Sequence, residues 1–593
     1  MTGEPGVRFE TFNAKKMSAL EVANSFVVPS YFYSMASKDH CYIIGPRGSG
    51  KTTLLRMLQG ETLMGWTGAP AERARKGIDY SAIFLPADEL WASQTNEATA
   101  NAAFTAQMLY AFVEAMIYRS SEADRYGNKI HLPVELTYSQ EDDVSRQCAE
   151  AWGLHGASPG FVGLLKGLDL YLARVSTGRT DGETALEKAD AMTLLAFGIR
   201  AFNRAVGQPD HQWALLLDEM ELAPAEIHRE VVSFVRGGAS NLVLKISMSP
   251  FDRYMHQFGV GGGPIPGHDF QTIYLSDPSL RERRSITNGL WNEALRARGL
   301  PHSQLVDALG TVDKPLNDHR SAYRDRPNPY TQPDKFLRYM QSRDRDFSRW
   351  LKDRRIDIDM IDNLSYIERS ATIRKVLPLL VFRDAILQFR KDGSTVRRSR
   401  NKTVEPFTGA VAITRILEGN PRWIKVAFAA MLDYYDVRTR TVSPGFQFDA
   451  VTQLANRFEA LLRVLPRPQA QTSIVSVPEL VNVIASYMSE QNCGEFSPDP
   501  INCFTVDDSV PNDVLDALIS GLYAGAFVHV RNRRSAAVLS DFRGERFRIA
   551  YLLGTRDRLE FPLRLGKDVA LSKILIGNAR ATKSVDTQLR WEF

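Results

Sequence analysis

The sequence predicts an α/β fold, in which a parallel β-sheet carries helices on both faces. Short apolar runs, such as residues 41–44 and 213–217, are typical of strands buried in a parallel sheet. Longer segments between these runs repeat apolar residues at helical spacing, as in residues 104–116. A glycine-rich segment directly follows the first run, as expected where a strand turns sharply into a helix. Together these observations favour alternating strands and helices.

The glycine-rich segment, residues 45–52, reads GPRGSGKT and is a complete phosphate-binding loop. In such a loop, backbone N–H groups and the positive end of the following helix attract phosphate oxygens. Lys51 is expected to reach the β- and γ-phosphates, and the Thr52 hydroxyl to hold Mg²⁺. A chance glycine-rich turn is the alternative, but the flanking strand and helix argue against it. The residues expected to bind ATP here are Gly45, Pro46, Arg47, Gly48, Ser49, Gly50, Lys51, Thr52 and Thr53.

Length and composition indicate a multidomain globular chain. With 593 residues, 44% of them hydrophobic and 24% charged, about two to four domains are expected. There is no apolar run of about 18 residues, so the sequence predicts no membrane span. The N-terminus lacks the apolar stretch of a signal peptide. The four cysteines are scattered, which favours free thiols in a reducing cytoplasm over a metal site.

A second strand is expected at residues 80–85, followed by the amphipathic helix 104–116. Residues 120–182 are polar and mixed, which suggests an insertion with short helices. Residues 185–202 again show a long helical pattern.

The apolar run 213–217 ends in two carboxylates, Asp218 and Glu219. Ligands bind at the carboxyl ends of strands in open α/β sheets, so this segment suits a Walker B motif. Asp218 is expected to orient Mg²⁺, and Glu219 to polarise the water that attacks the γ-phosphate. Glu221 is interpreted as a solvated carboxylate at a helix start, with a further acid of the site as the alternative.

A helix is expected at residues 224–235, with further strands at 241–249 and 270–275. Ser247 and Ser249 end the first of these strands, where they could sense the γ-phosphate. Arg236 is interpreted as a solvated arginine that complements the helix dipole, with an arginine finger reaching a neighbouring subunit as the alternative.

From residue 277 to 402 the chain reads as helical and charged. Residues 367–390 form a long helical pattern in which Pro378 predicts a kink or a break, and residues 391–402 read as a basic loop. The segment GNPR at 419–422 then opens a helix, with Asn420 as its cap. Arg422 is unfavourable beside the positive end of a helix unless an anion is near, and the γ-phosphate is the obvious candidate.

The phosphate-binding loop, the Asp218-Glu219 pair and the Gly-Asn-Pro-Arg helix resemble AAA+ ATPases of the origin-recognition (Orc/Cdc6-like) and STAND-like P-loop group. The resemblance covers residues 26 to about 435. It implies that Arg422 is a lid arginine that contacts the nucleotide, so the implied catalytic set is Glu219, Lys51 and Arg422. The chain departs from the group by helical insertions near residues 120–182 and 285–369. It also lacks the expected asparagine at the end of the fourth strand.

The C-terminal region is basic and resembles a winged helix. From residue 527 to 593 we count 14 Lys and Arg against 7 Asp and Glu, a net charge of +7, whereas the whole chain carries +4. Two expected helices, which begin after Ser476 and at Asn512, precede a basic hairpin near residues 527–551. The candidates for contact with the phosphates of double-stranded DNA are Arg531, Arg533, Arg534, Arg543 and Arg548. A protein partner is the alternative, because residues 512–524 contain no Lys or Arg.

The predicted domains are a nucleotide-binding core (1–278) with a helical insertion at about 96–205, a helical lid (279–440) and a winged-helix-like domain (441–593). The predicted function is that of an ATP- and Mg²⁺-dependent switch that is associated with DNA. Homo-oligomerisation is a further expectation that the sequence leaves open. The alternative is a signalling ATPase of a bacterial antiphage defence system that acts through a protein effector.

Overall fold

The computed structural model describes residues 14–92, 96–125, 127–154, 158–178, 185–251, 263–311, 316, 326–358, 366–390, 392, 394–398, 404–465, 476–531, 539, 541–556 and 559–577. The chain divides into two compact units. The first consists mainly of Phe12–Leu275, and the second mainly of Ser276–Ser535 together with Asp541–Phe593.

The first unit contains a five-stranded sheet in which every neighbouring pair of strands is parallel. Its strands are β1 (Cys41–Ile44), β2 (Ser81–Pro86), β3 (Trp213–Asp218), β4 (Leu242–Met248) and β5 (Gln271–Tyr274), in the order β2-β3-β4-β1-β5. Because β4 pairs with both β1 and β3, the carboxyl ends of these three strands meet at one edge of the sheet. This edge carries the candidate site.

Helices cover both faces of this sheet, so the predicted α/β fold is confirmed. The helices of the first unit are α1 (Ala19–Asn24), α2 (Phe32–Met35), α3 (Lys51–Arg56), α4 (Gly60–Gly65), α5 (Ala69–Gly77), α6 (Glu89–Ala92), α7 (Glu97–Ser120), α8 (Tyr138–Trp152), α9 (Gly160–Ser176), α10 (Ala185–Lys188), α11 (Ala191–Ala205) and α12 (Ala225–Gly237).

Successive strand residues face opposite cores, as the pleat of a strand requires. Leu215 and Leu217 of β3 pack with α7, α8, α9 and α11, whereas Ala214 and Leu216 pack with α1, α3 and α5. The helices between residues 97 and 205 therefore form the hydrophobic cover of one sheet face. The expected short helices near 120–182 are instead α8 and α9, with 15 and 17 residues. The helical pattern at 185–202 is split, because Asp190 caps α11 through the backbone N–H of Thr193.

The second unit combines helices with two small sheets. Its helices are α13 (Leu280–Ala297), α14 (Leu305–Leu309), α15 (Pro333–Arg343), α16 (Arg345–Asp353), α17 (Tyr366–Ile386), α18 (Gly409–Ile416), α19 (Pro421–Leu432), α20 (Pro444–Arg463), α21 (Val477–Cys493) and α22 (Asn512–Ala524). Its strands are β6 (Leu387–Phe389), β7 (Thr395–Arg397), β8 (Ile501–Thr505), β9 (Phe527–His529), β10 (Arg546–Ile549) and β11 (Lys567–Ala570).

Two expectations for the second unit are corrected by these elements. A kink or a break was predicted at Pro378, and helix α17 runs through Pro378 as one element, so the break is wrong. Strands β6 and β7 form an antiparallel hairpin within the stretch expected to be the end of a helix and a basic loop. The expected antiparallel pairing of β9 with β10 is confirmed, but these strands belong to a four-stranded sheet of order β11-β8-β10-β9. Strands β8 and β11 were not predicted.

The cysteines Cys41, Cys148, Cys493 and Cys503 are free, and all but Cys493 are buried. Within the described part of the chain, no helix combines the length and the apolar character needed to cross a membrane.

Candidate nucleotide-binding site

The loop between β1 and α3 needs its glycines for steric reasons. Gly48 and Gly50 have φ angles of +84° and +96°, which lie in the left-handed region that favours glycine. A Cβ atom on Gly45 would lie 2.6 Å from Ser49 Oγ and 2.8 Å from the Cβ of Leu275. The backbone of the loop is therefore curled tightly between the strand and the helix.

The side chain of Lys51 folds back against the backbone of this loop. Its Nζ atom donates hydrogen bonds to the carbonyl oxygens of Gly45 (2.6 Å) and Pro46 (3.3 Å). The Oγ atom of Ser49 is buried and has no hydrogen-bond partner among the described residues. Arg47 is exposed at the outer side of the loop. A buried hydroxyl without a partner, beside an ammonium group and a curl of backbone, fits a bound triphosphate.

Thr52 and Asp218 bring hard oxygen atoms together at the carboxyl edge of the sheet. Thr52 Oγ1 donates a 2.7 Å hydrogen bond to Asp218 Oδ2, and Asp218 is fully buried. Carboxylate and hydroxyl oxygens are the ligands that Mg²⁺ prefers, and Mg²⁺ usually keeps only one or two protein ligands beside phosphate and water. These two residues therefore fit the predicted metal role.

Ser247 connects the carboxylate of Asp218 to the backbone of Glu219 in the candidate Walker B motif. Its Oγ atom donates to Asp218 Oδ1 at 2.5 Å and accepts from the backbone N–H of Glu219 at 3.0 Å. Ser249 is also buried. Of the two serines proposed from the sequence, Ser247 is the one that the structure brings to the site. Arg236 is exposed in the last turn of α12, and its role as an arginine finger stays a prediction.

Glu219 has an unusual backbone and an unpredicted partner. Its φ and ψ angles are +56° and +44°, a left-handed conformation that costs energy for a residue other than glycine. Its Oε2 atom accepts a 2.6 Å hydrogen bond from Lys15 Nζ. Lys15 was not predicted as a site residue, because it belongs to no motif and lies 204 residues away from Glu219 along the chain.

Glu221 is not the solvated carboxylate expected from the sequence. Both of its carboxylate oxygens are buried and have no hydrogen-bond partner in the described part of the chain. Burial raises the pKa of Glu221 to about 7, against the opposing effect of Lys51. The Glu221 carboxylate is therefore buried beside the site residues and is not solvated.

Arg422 lies in the second unit, at the start of α19. Asn420 caps this helix as predicted, because its side-chain oxygen accepts from the backbone N–H groups of Arg422 (3.1 Å) and Trp423 (3.3 Å). The contact of Arg422 with a nucleotide stays a prediction.

Arg548 was a wrong candidate for contact with DNA phosphates. It is 1% exposed and forms ion pairs with Glu418 (2.5 Å) and Asp277 (3.1 Å). Arg531 and Arg543 are exposed, so they remain candidates. Arg533 and Arg534 lie outside the described residues.

The model of the ORC-CDC6-like family matches residues 8–571, nearly the whole chain. Neither a curated protein nor a solved structure matches.

Proposed function

The chain belongs to the ORC-CDC6-like family of AAA+ ATPases, and from this premise we propose that its first unit binds and hydrolyses ATP with Mg²⁺. The observation that carries the proposal is the hydrogen-bonded series from Thr52 through Asp218 and Ser247 to the backbone of Glu219. It joins the phosphate-binding loop to the ends of β3 and β4. A hydrolytic site needs these elements at this edge of the sheet.

Each residue has a separate role in the proposed reaction. Lys51 exchanges its loop carbonyl partners for phosphate oxygens, while the backbone N–H groups from Gly48 to Thr53 orient them. Thr52 and Asp218 hold Mg²⁺, which when bound would offset the negative charge of the phosphates. Glu219 orients the attacking water and accepts its proton. Ser247 fixes both the Asp218 carboxylate and the Glu219 backbone.

Nucleotide state is proposed to control the second unit through α19. Arg422 would contact the phosphates, and Glu418 lies four residues before it in the chain. Glu418 accepts hydrogen bonds from Arg548 of β10 (2.5 Å) and from the backbone N–H of Tyr551 (2.7 Å). These contacts support a mechanical link between the start of α19 and the C-terminal sheet.

The C-terminal sheet and helices α21 and α22 are proposed to act as a winged-helix-like module that binds double-stranded DNA. The support is the net charge of +7 after residue 526 and the exposure of Arg531 and Arg543. Nonspecific affinity for DNA depends on such charges through the release of counterions.

A protein effector is the second candidate partner, and two observations favour it. Helix α22 carries Asp513 and Asp516 but no Lys or Arg. Arg548 and Arg556 are buried in ion pairs, and Arg556 pairs with Glu459 at 3.0 Å. Less of the basic charge is therefore available to DNA than the composition suggests. With a protein partner, the chain would be a signalling ATPase of the antiphage-defence kind.

The ATPase proposal is tested with two variants of the site. Lys51→Ala should abolish nucleotide binding, because the charge that meets the phosphates is lost. Glu219→Gln should bind ATP like the wild type but lose turnover, because an amide cannot accept the proton. Fluorescent-nucleotide titration measures binding and phosphate release measures turnover, with exposed Glu72→Gln as the control. Equal hydrolysis by the wild type and Glu219→Gln would exclude this role of Glu219.

The partner is tested by measuring duplex-DNA affinity against salt concentration. Binding with a steep negative salt slope supports the DNA candidate, and each of Arg531→Ala and Arg543→Ala should reduce that slope by about 1. Arg146→Ala, an exposed arginine of α8, should leave it unchanged. Failure to bind duplex DNA at low salt would instead favour a protein effector.

A further inference from the structure

Lys15 is held beside the proposed water-activating carboxylate by the phosphate-loop helix itself. Arg56, the last residue of α3, donates hydrogen bonds from Nη1 to the carbonyl oxygens of Ala14 and Met17 (2.6 Å to Met17). These two carbonyls flank Lys15 on both sides. The backbone of this segment is thus fixed to α3, and the Lys15 ammonium reaches Glu219 Oε2 at 2.6 Å.

The chain after Lys15 is equally well anchored. Ser18 and Glu21 form a reciprocal capping box at the start of α1. Val22 and Ala23 of α1 then pack in the same hydrophobic cluster as Leu54 of α3. Lys15 therefore projects from a short segment that is fixed at both ends to elements surrounding the phosphate-binding loop.

The ion pair is partly shielded from water. The side chains of Lys15 and Glu219 are 27% and 25% exposed. Glu219 also has a constrained backbone, because its N–H donates to Ser247 and its φ angle is positive. With the backbone held, the position of the carboxylate depends mainly on what its oxygens contact. Here one of those oxygens is bound to an ammonium group.

We propose that Lys15 is a positioning residue that holds Glu219 in a resting state and restrains hydrolysis. A carboxylate oxygen paired with an ammonium group is a weaker acceptor for a water molecule than a free one. The γ-phosphate of ATP would bring competing negative charge within reach of Lys15, so the ammonium can leave Glu219 for the phosphate. The inference rests on the proposed ATPase function, and it adds a restraint that must be released before Glu219 orients water.

The test compares Lys15→Met with Lys16→Met, which removes the same charge one residue further along at an exposed position. Lys15→Met should raise kcat about twofold to fivefold, the range that a partly exposed ion pair can supply. KM should rise only slightly, because the phosphate-binding loop is intact and only the contact of Lys15 with the γ-phosphate is lost. Lys15→Arg should keep the wild-type kcat, because it retains the charge. Lys16→Met should also match the wild type.

Salt provides a second readout that a purely structural role of Lys15 would not move. Because ions screen a partly exposed pair, kcat of the wild type should rise with salt toward that of Lys15→Met, whereas kcat of the variant should stay flat. A lower kcat in Lys15→Met, or an unchanged one, would overturn the inference, since Lys15 would then assist the reaction or be neutral. Such a result would leave the ATPase proposal standing if the wild type hydrolyses ATP. A wild type and a Lys15→Met variant that both fail to bind ATP would refute the proposed function itself.

Discussion

The buried carboxylates of Asp218, at the end of β3, and of Glu221, just after it, are stabilised very differently. Asp218 is fully buried but accepts hydrogen bonds from Thr52 and Ser247, so its charge is compensated. The oxygens of Glu221 are buried with no such donor among the described residues. A buried carboxylate loses the free energy of its hydration. Without donors it gains no hydrogen bonds in return, so the protonated form is favoured. The two carboxylates, three positions apart in the chain, therefore differ in the hydrogen-bond donors that surround them.

Glu221→Gln should make the stability of the protein depend less on pH. The folded-state pKa of Glu221 is raised from an ordinary value of 4.5 to about 7. Ionising Glu221 is less favourable in the folded than in the unfolded protein. The resulting loss of folding stability is absent below about pH 4.5 and complete above about pH 7. Without nucleotide, the variant should exceed the wild type in stability by on the order of 2–3 kcal/mol at pH 8. That gain should vanish toward pH 4.5.

Denaturant unfolding at several pH values measures this difference, with the exposed Glu72→Gln as a control that should show none. A gain that is the same at pH 5 and pH 8 would show that Glu221 does not titrate in this way.

At the level of elements, the backbone of the turn before α19 is restricted in its conformation. Glu418 and Gly419 have φ angles of +52° and +74°, and Asn420 then caps the helix. A Cβ atom on Gly419 would lie 3.1 Å from Cγ of Pro278. This turn points the Glu418 side chain to Arg548 and sets where α19 begins. The start of the helix is thus fixed by a turn that tolerates few other residues.

Asn420→Ala should destabilise the second unit by about 1 kcal/mol, because the first N–H groups of α19 lose their acceptor. Asn420→Asp keeps an acceptor oxygen at the same position and should retain most of the stability. Tryptophan fluorescence during denaturant unfolding follows the change, since Trp423 is buried in the first turn of α19. Equal stability of the two variants would contradict the capping role.

Some elements could be predicted from sequence and others could not. The strands from β1 to β4, the capping box of α21 and helix α22 all have short-range signals, namely apolar runs, Ser-x-x-Glu and helical periodicity. Strands β8 and β11 lack such a signal. They pair with each other in parallel although more than 60 residues of chain lie between them (Ile501 pairs with Lys567). Pairing over such a distance depends on the assembled sheet.

At the scale of the whole molecule, a buried ionic network ties distant parts of the second unit together. Arg548 of β10 pairs with Glu418 before α19 and with Asp277, and Arg283 of α13 also pairs with Asp277. Arg548 is not available to nucleic acid, because it is buried in ion pairs with these two carboxylates. Burial and pairing have opposite effects on its pKa: burial lowers it, but the nearby carboxylate of Glu418 leaves the net shift upward.

Arg548→Met should destabilise the second unit by about 3–5 kcal/mol, because Glu418 is left buried without its cation. Arg548→Met combined with Glu418→Gln should recover much of this loss, since no uncompensated charge remains. A double-mutant cycle on unfolding free energy measures the coupling. Additive effects of the two substitutions would show that the pair does not act as a unit.

The sequence by itself determined the phosphate-binding loop, the Asp218-Glu219 pair and the Asn420 cap, because each is encoded by consecutive residues whose chemistry depends on local backbone geometry. It also determined the α/β class, since periodicity reports which faces are buried. Only the tertiary structure decided that Lys15 forms an ion pair with Glu219, that Glu221 is buried and that Arg548 forms an ion pair with Glu418. The first and third of these contacts join residues 204 and 130 positions apart. Such pairs leave no local pattern, because a charged side chain looks the same in sequence whether water or a distant carboxylate surrounds it.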